Sequence, residues 1–310
     1  MKYNMRRIRK YKKEDLYRLF NGIITDPIKI SFGVFLVASS LIIITTLLYG
    51  YYSDKFRENL LVEAHGTLLD ILLLGVFAVW LQQKGNKLKD NQHYIDEIDD
   101  FRGWDDETAS RKIRGNIRRL NSNGVTSINL SNCCLKNMDL NGAVLSSSDF
   151  WGADLTNTDF SNCILKDCNF DETIMEHVSF RGAWLQESKF IRVKAGNVDF
   201  REACLDGSVF EEVVMSDVDC FKAGFHSAKI LNSDLTEFSF WKADLELADI
   251  TGTRMSGSHF REASLLNIKG FDINHFESCS FWLAEIDPEL KLFIEKERPG
   301  LLCEPEDEGW

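Results

Sequence analysis

The chain has 310 residues, 44% of them hydrophobic and 27% charged, with a formal net charge of −12. The charge is unevenly placed: residues 1–90 carry 14 Lys/Arg against eight Asp/Glu, and residues 128–288 carry 13 against 26. An acidic second half excludes attraction to a phosphate backbone as its mode of binding, and a basic first segment suits an anionic lipid surface.

Residues 1–29 form a basic tail with nine cations, Lys2, Arg6, Arg7, Arg9, Lys10, Lys12, Lys13, Arg18 and Lys29. Leu16, Leu19, Phe20, Ile23 and Ile24 fall at i, i+3, i+4, i+7 and i+8, one face of a helix. That helix either lies on anionic lipid or packs against the repeat region or another subunit. Residues 30–82 are expected to be a two-helix transmembrane region. Ile30 to Tyr49 is uncharged and of spanning length, and Thr67 to Gln82 is apolar apart from Asp70, with Trp80 near its end. No small-residue cleavage site follows the first stretch, so it is read as a span and not a signal peptide. Lys84, Lys87 and Lys89 follow the second stretch, whereas the predicted loop 53–66 holds only Lys55 and Arg57. The positive-inside rule then puts both termini in the cytoplasm, as for a protein of a bacterial inner membrane.

Residues 83–124 are expected to be a linker and an N-terminal cap. A polar helix over 84–104 carries Leu88, Ile95, Ile98 and Phe101; a second over 106–121 aligns Ala109, Ile113, Ile117 and Leu120 and stops at Asn121-Ser122-Asn123-Gly124. From Leu130 to Leu265 every fifth residue is hydrophobic, 28 positions in register with one alanine, Ala195. A one-residue slip then moves the series to Phe271, Phe276, Phe281 and Ile286. Two residues before each anchor stands a small or slim side chain, as at Ala153, Thr158, Cys163 and Cys168. Neither a helix nor a strand keeps a period of five, but a solenoid does. Folded at period 20, one column of anchors reads Leu140, Phe160, Phe180, Phe200, Cys220, Phe240, Phe260, and the opposite one Leu130, Phe150, Phe170, Phe190, Phe210, Ile230, Ile250. After Pro288 a short C-terminal cap helix is expected over 288–298, followed by a tail to 310.

Units such as Ala153-Asp154-Leu155-Thr156-Asn157 and Ala243-Asp244-Leu245-Glu246-Leu247 resemble those of the pentapeptide-repeat family over residues 125–287, about half of the chain. The resemblance implies a mainly β fold: a right-handed quadrilateral β-helix with four pentapeptides per coil. About eight coils at the strand spacing of about 4.8 Å would make a rod of roughly 40 Å.

No catalytic constellation emerges, and no catalytic, cofactor-binding or metal-ligating residue is expected. Cys133, Cys163, Cys168 and Cys279 fall at small inward positions and Cys220 at an anchor, as small hydrophobes do. Asp139, Asp149, Asp154, Asp159, Asp199, Asp219, Asp234, Asp244 and Asp249 all precede an anchor, where a carboxylate caps a turn. His177, His226 and His259 sit at outward positions without a partnered nucleophile. What breaks the outward pattern is a column after the anchors, Asn141, Ser161, Arg181, Arg201, Phe221, Trp241, Arg261, with Ile164, Trp184 and Cys204 around the adjacent corner. Arg181, Trp184, Arg201, Phe221 and Trp241 are therefore the candidate partner-binding patch, the alternative being stacking along the ladder. Asp70 is the candidate functional residue of the membrane region, at a subunit interface or lining a pore, or else simply interfacial.

The leading reading is a non-enzymatic, membrane-anchored scaffold that contacts lipid and binds a protein partner or further copies of itself. One alternative is a membrane-perturbing or channel-forming effector of the stress or antiphage type. Another, carried by the resemblance, is a DNA-mimic regulator of an enzyme such as gyrase, which tethering to a membrane disfavours.

Overall fold

A computed structural model of the chain describes residues 54–304, together with Gly33, Phe35, Leu36, Val37, Ser39, Ser40, Leu41, Ile43 and Ile44, all helical. The predicted amphipathic segment 16–24 and the tail beyond residue 304 lie outside the described residues, and the first predicted span does so in large part. The chain divides into two compact units, residues 1–90 and 91–310, each described here by itself.

One long helix, α1 (Asp54–Asp100), runs from the first unit into the second. From Asp54 onward it replaces the predicted loop, and it joins the second predicted span to the predicted linker helix. Residues 54–66 contain no proline and are rich in Leu, Glu, Lys, Arg and Ala, all good helix formers, so nothing there stops a helix. Among the described residues no helix is long and apolar enough to cross a membrane, so the two-span anchor expected over 30–82 is not part of the described structure. Length is the physical reason for the second span. Thr67 to Gln82 rises about 24 Å at 1.5 Å per residue, short of a hydrocarbon layer of roughly 30 Å. Asp70 is exposed within that stretch, as are Leu69, Ile71, Leu73, Leu74, Phe77, Trp80 and Leu81.

In the second unit, Ile98 near the end of α1 is buried with Ile113, Ile117 and Leu120 of α2 (Glu107–Ser122). Asp106 caps α2: its carboxylate accepts from the N–H groups of Thr108 at 2.7 Å and Ala109 at 3.0 Å. At the other end Asn121 meets the edge of the first coils. Its amide donates to Val144 O at 2.8 Å, and its side-chain oxygen accepts from Val144 N at 2.8 Å. The helix pair thus covers an edge that would otherwise expose unpaired backbone groups.

The rest is a mainly β solenoid. Parallel bridges join residues 20 apart along four ladders, one per side of the coil. One ladder reads Asn129, Asp149, Asn169, Lys189, Val209, Lys229, Asp249, Lys269. The corners recur because the second residue after every anchor is left-handed, from Asn132 through Asn267, whatever its type; Arg192 has φ 53° and Leu247 φ 62°. Inward anchors gain enough burial to hold even these residues in a region L-amino acids avoid. The predicted turn-capping aspartates do cap: Asp159 accepts from Ser161 N at 2.8 Å and Asp244 from Glu246 N at 2.9 Å. Asp234 departs from the pattern, with a buried Oδ1 that has no partner.

Phenylalanines fill the interior as two interlocked columns. Within a column the rings stack, Phe150–Phe170 at 4.7 Å and Phe160–Phe180 at 5.2 Å, and between columns they meet edge-on, Phe170–Phe180 at 82°. Where an anchor is small, neighbours compensate. Cys220 interrupts one column, and Phe225 of the same coil and Phe238 of the next supply the missing volume, both buried. Ala195 is flanked by Val193 and Val198, both buried, at positions that in many coils hold Ala or Ser. Core density is thereby kept without shifting the register. The predicted slip is visible in the ladders, where pairing changes from 20 to 21 residues apart, as in His259 with Ser280 and Ser264 with Glu285. Beyond it lie α3 (Pro288–Glu297) and a 3₁₀ turn, Pro299–Leu302; Phe281 N donates to Leu301 O at 2.7 Å, closing the last coil.

Candidate functional site

The interior is filled by buried columns of Phe, Leu and Met. The candidate residues lie on the outside of the solenoid, where the turn geometry aims the first and second residues after each anchor at solvent.

Phe221 and Trp241 sit on consecutive coils of one such column, their rings 4.8 Å apart. The column continues through Arg261, whose guanidinium lies 5.3 Å from the Trp241 ring and 4.3 Å from that of Trp282. Lys222 and Lys242, at the left-handed positions beside it, stand over Phe221 at 5.1 Å and Trp241 at 5.4 Å. Glu262 ties the group together, accepting from Trp241 Nε1 at 3.3 Å and pairing with Lys242 at 3.3 Å and Arg261 at 3.4 Å. Desolvation by these neighbours pushes the Glu262 carboxyl up, but the hydrogen bonds from Trp241 and Lys242 outweigh it and hold it below the ordinary carboxylate value. Trp241 remains 38% exposed.

Of the five residues singled out in the sequence, the structure brings Phe221 and Trp241 into contact. Arg201 lies on the same column but is engaged by Asp199, which its guanidinium meets with two hydrogen bonds of 2.8 and 2.6 Å; the bond to Asp199 also raises its already high pKa. Arg181 is exposed and 3.9 Å from Glu202. Trp184 stands on the neighbouring ladder between Ile164 and Cys204, and at 58% it is the most exposed tryptophan described. Sequence reasoning missed Trp282, which belongs to this column only after the one-residue slip, and it missed Lys222 and Lys242, hidden among ordinary turn residues.

It also missed a second grouping. His226, Asp244 and Glu246 place one donor atom each within 4.8 Å of one another. They are up to 20 positions apart, and only the coil stacks them.

A shallow cleft of about 400 Å³ lies where α2 meets the first coils, lined by Asp105, Asp106, Glu107, Arg111, Arg114 and Lys136. Lys136 bridges Asp105 at 3.0 Å and Asp154 at 3.1 Å, so the charges there neutralise one another and hold the cap.

The inward cysteines are inert by the same burial that packs them. Desolvation pushes the thiols of Cys163 and Cys168 up to about 12 and that of Cys133 up to about 11. Thiol labelling at pH 8 is expected to modify the exposed Cys303 rapidly and these three only on unfolding, as mass spectrometry of timed samples would read. A thiol raised in the folded state contributes stability below its unfolded pKa and loses it as pH climbs towards the folded value. Stability is thus expected to fall from about pH 9 upward.

Two segments match family descriptions, residues 124–200 as a pentapeptide repeat region and residues 231–265 as pentapeptide repeats; together they make about six turns. None of the curated proteins matches the chain. Among solved structures it is similar to QnrB1, described as a plasmid-mediated fluoroquinolone resistance protein, at 19% identity over 55% of this chain and 88% of that one, with a TM-score of 0.27. It is also similar to HetL, a protein involved in heterocyst differentiation regulation from the cyanobacterium Nostoc sp. strain PCC 7120, at 18% identity over 55% and 93%, TM-score 0.23. A third is a pentapeptide repeat protein of the Arabidopsis thaliana thylakoid lumen, at 17% identity over 47% and 76%, TM-score 0.17. Residues 124–200 and 231–265 thus match pentapeptide-repeat descriptions, and in the structure they lie within one parallel β solenoid.

Proposed function

We propose that the protein is a non-enzymatic scaffold, tethered to a membrane, whose solenoid docks a protein partner along the Phe221–Trp241–Arg261–Trp282 column. The observation that carries this reading is that column itself. Aromatic rings interleaved with cations, half open to solvent on an otherwise acidic wall, have the composition of an interaction hot spot. The intramolecular stacking fixes the rings in place, so little side-chain freedom is lost when a partner covers them.

The tether rests on the uncharged run 30–49 and on the exposed apolar stretch of α1 around Ile71, Leu74 and Phe77. The basic residues of 1–29 face anionic lipid in this reading, with the solenoid on the cytoplasmic side. Asp70, exposed within that apolar stretch, favours a second reading in which several copies pair their helices and conduct ions.

Affinity capture of the full-length protein from membranes tests the docking claim. Trp241→Ala combined with Arg261→Ala is expected to lower the recovered partner at least tenfold, while Lys166→Ala on another part of the wall leaves it unchanged. Equal recovery with both variants would remove the column from the interface.

A further inference from the structure

We propose that His226, Asp244 and Glu246 form a binding site for a divalent first-row transition ion such as zinc, on a different side of the solenoid from the aromatic column.

The repeat itself builds the donor set. Asp244 and Glu246 flank the buried anchor Leu245, and because side chains alternate along an extended segment, both carboxylates leave the wall on the same side. His226 lies 20 residues before Glu246, one coil away at the equivalent position, so its imidazole stacks over the Glu246 side chain. The three donor atoms fall within 4.8 Å of one another. Bonds of about 2.0–2.2 Å to imidazole nitrogen and carboxylate oxygen set tetrahedral donors roughly 3.4 Å apart, so the widest separation here closes by up to about 1.4 Å on binding. Glycine stands beside Asp244 on the ladder, at Gly224, so no side chain intrudes between the rungs. A Cβ at Gly224 would come 2.8 Å from Asp206 Oδ1.

Charge points the same way. Asp244 and Glu246 take part in none of the ion pairs among the described residues, whereas Lys166, Arg181, Arg192, Arg201, Lys242 and Arg261 all do. The backbone N–H of His226 donates to Asp206 Oδ1 at 3.2 Å, which fixes the segment that carries the imidazole. Two carboxylates outside any ion pair and one imidazole, converging within 4.8 Å, make a mixed oxygen and nitrogen donor set. Nitrogen among the donors selects a transition ion over magnesium or calcium, which prefer oxygen alone. The donors lie on the surface, so the remaining coordination positions face solvent and stay open to water or to a ligand from another molecule.

Cobalt(II) is the probe, added to the full-length protein and followed by its visible d–d absorption, with zinc as competitor. One equivalent is expected to bind, to be displaced by zinc, and to resist millimolar magnesium. His226→Ala and Glu246→Gln should each weaken binding at least tenfold, and Cys204→Ser and Cys303→Ser should leave it unchanged. Both site variants replace outward side chains; if His226→Ala melts below the parent protein, His226→Gln takes its place. Absence of the cobalt spectrum, binding that survives both site variants, or binding lost with either cysteine would overturn the assignment.

Discussion

Phe180→Ala is expected to destabilise the solenoid by about 3–5 kcal/mol, the range for removing a fully buried aromatic ring. Phe180 stacks on Phe160 and Phe200 at 5.2 Å each and meets Phe170 and Phe190 edge-on at 5.7 and 6.4 Å. None of these rings can move into the gap without losing its own stack, so the cavity stays open. Each coil contacts mainly its neighbours, so the damage should be greatest in the coils around residues 160–200. Urea unfolding of the full-length protein reads the loss, and hydrogen exchange maps it. A loss below about 1 kcal/mol would mean that the interior relaxes far more than interlocked columns permit.

The register slip makes a sharper prediction. Gly270 precedes the displaced anchor Phe271 with φ 74°, and a Cβ built there would lie 2.5 Å from Thr251 Cα and 2.6 Å from Thr251 N. Those are backbone atoms, which cannot rotate away. Gly142 has a nearly equal φ of 70° but nothing within 4 Å of its would-be Cβ. Gly142→Ala therefore measures the left-handed cost alone, about 1–2 kcal/mol. Gly270→Ala adds overpacking worth about 1–3 kcal/mol more, concentrated in the last coils and in the α3 cap they carry. The two variants compared by urea midpoint and by exchange of the amides over 255–286 check this. Equal losses would show that the slip is held by something other than close approach of two chain segments.

These two cases also show what could be read from the sequence. The anchors were legible because each coil repeats the same burial demand, so Phe180 and Cys163 could be placed inward from spacing alone. The slip at Phe271 was legible as a break in that spacing. The aspartates were legible because a carboxylate before an anchor has one near backbone partner, the N–H two residues on. The left-handed conformation of Arg192 and Leu247 was not, since local propensity opposes it and only the stacked coils enforce it. The continuity of α1 through 54–66 was obscured because that stretch lies between two apolar runs, where a loop joining two spans is expected. Trp282 and the His226–Asp244–Glu246 group were missed because their neighbours come from other coils. The signal was present at period 20, where His226 falls directly over Glu246 in an outward column.

Crosslinking the full-length protein in membranes and measuring the mass and composition of the native complex tests the central claim most directly. The scaffold reading predicts one complex in which this chain is joined to a different protein, with the crosslinks on the column of Phe221, Trp241, Arg261 and Trp282. That complex should be lost in the Trp241→Ala, Arg261→Ala variant and kept in Asp70→Asn. A complex of this chain alone, crosslinked through residues 54–90 and abolished by Asp70→Asn, would contradict it and put the function in the membrane.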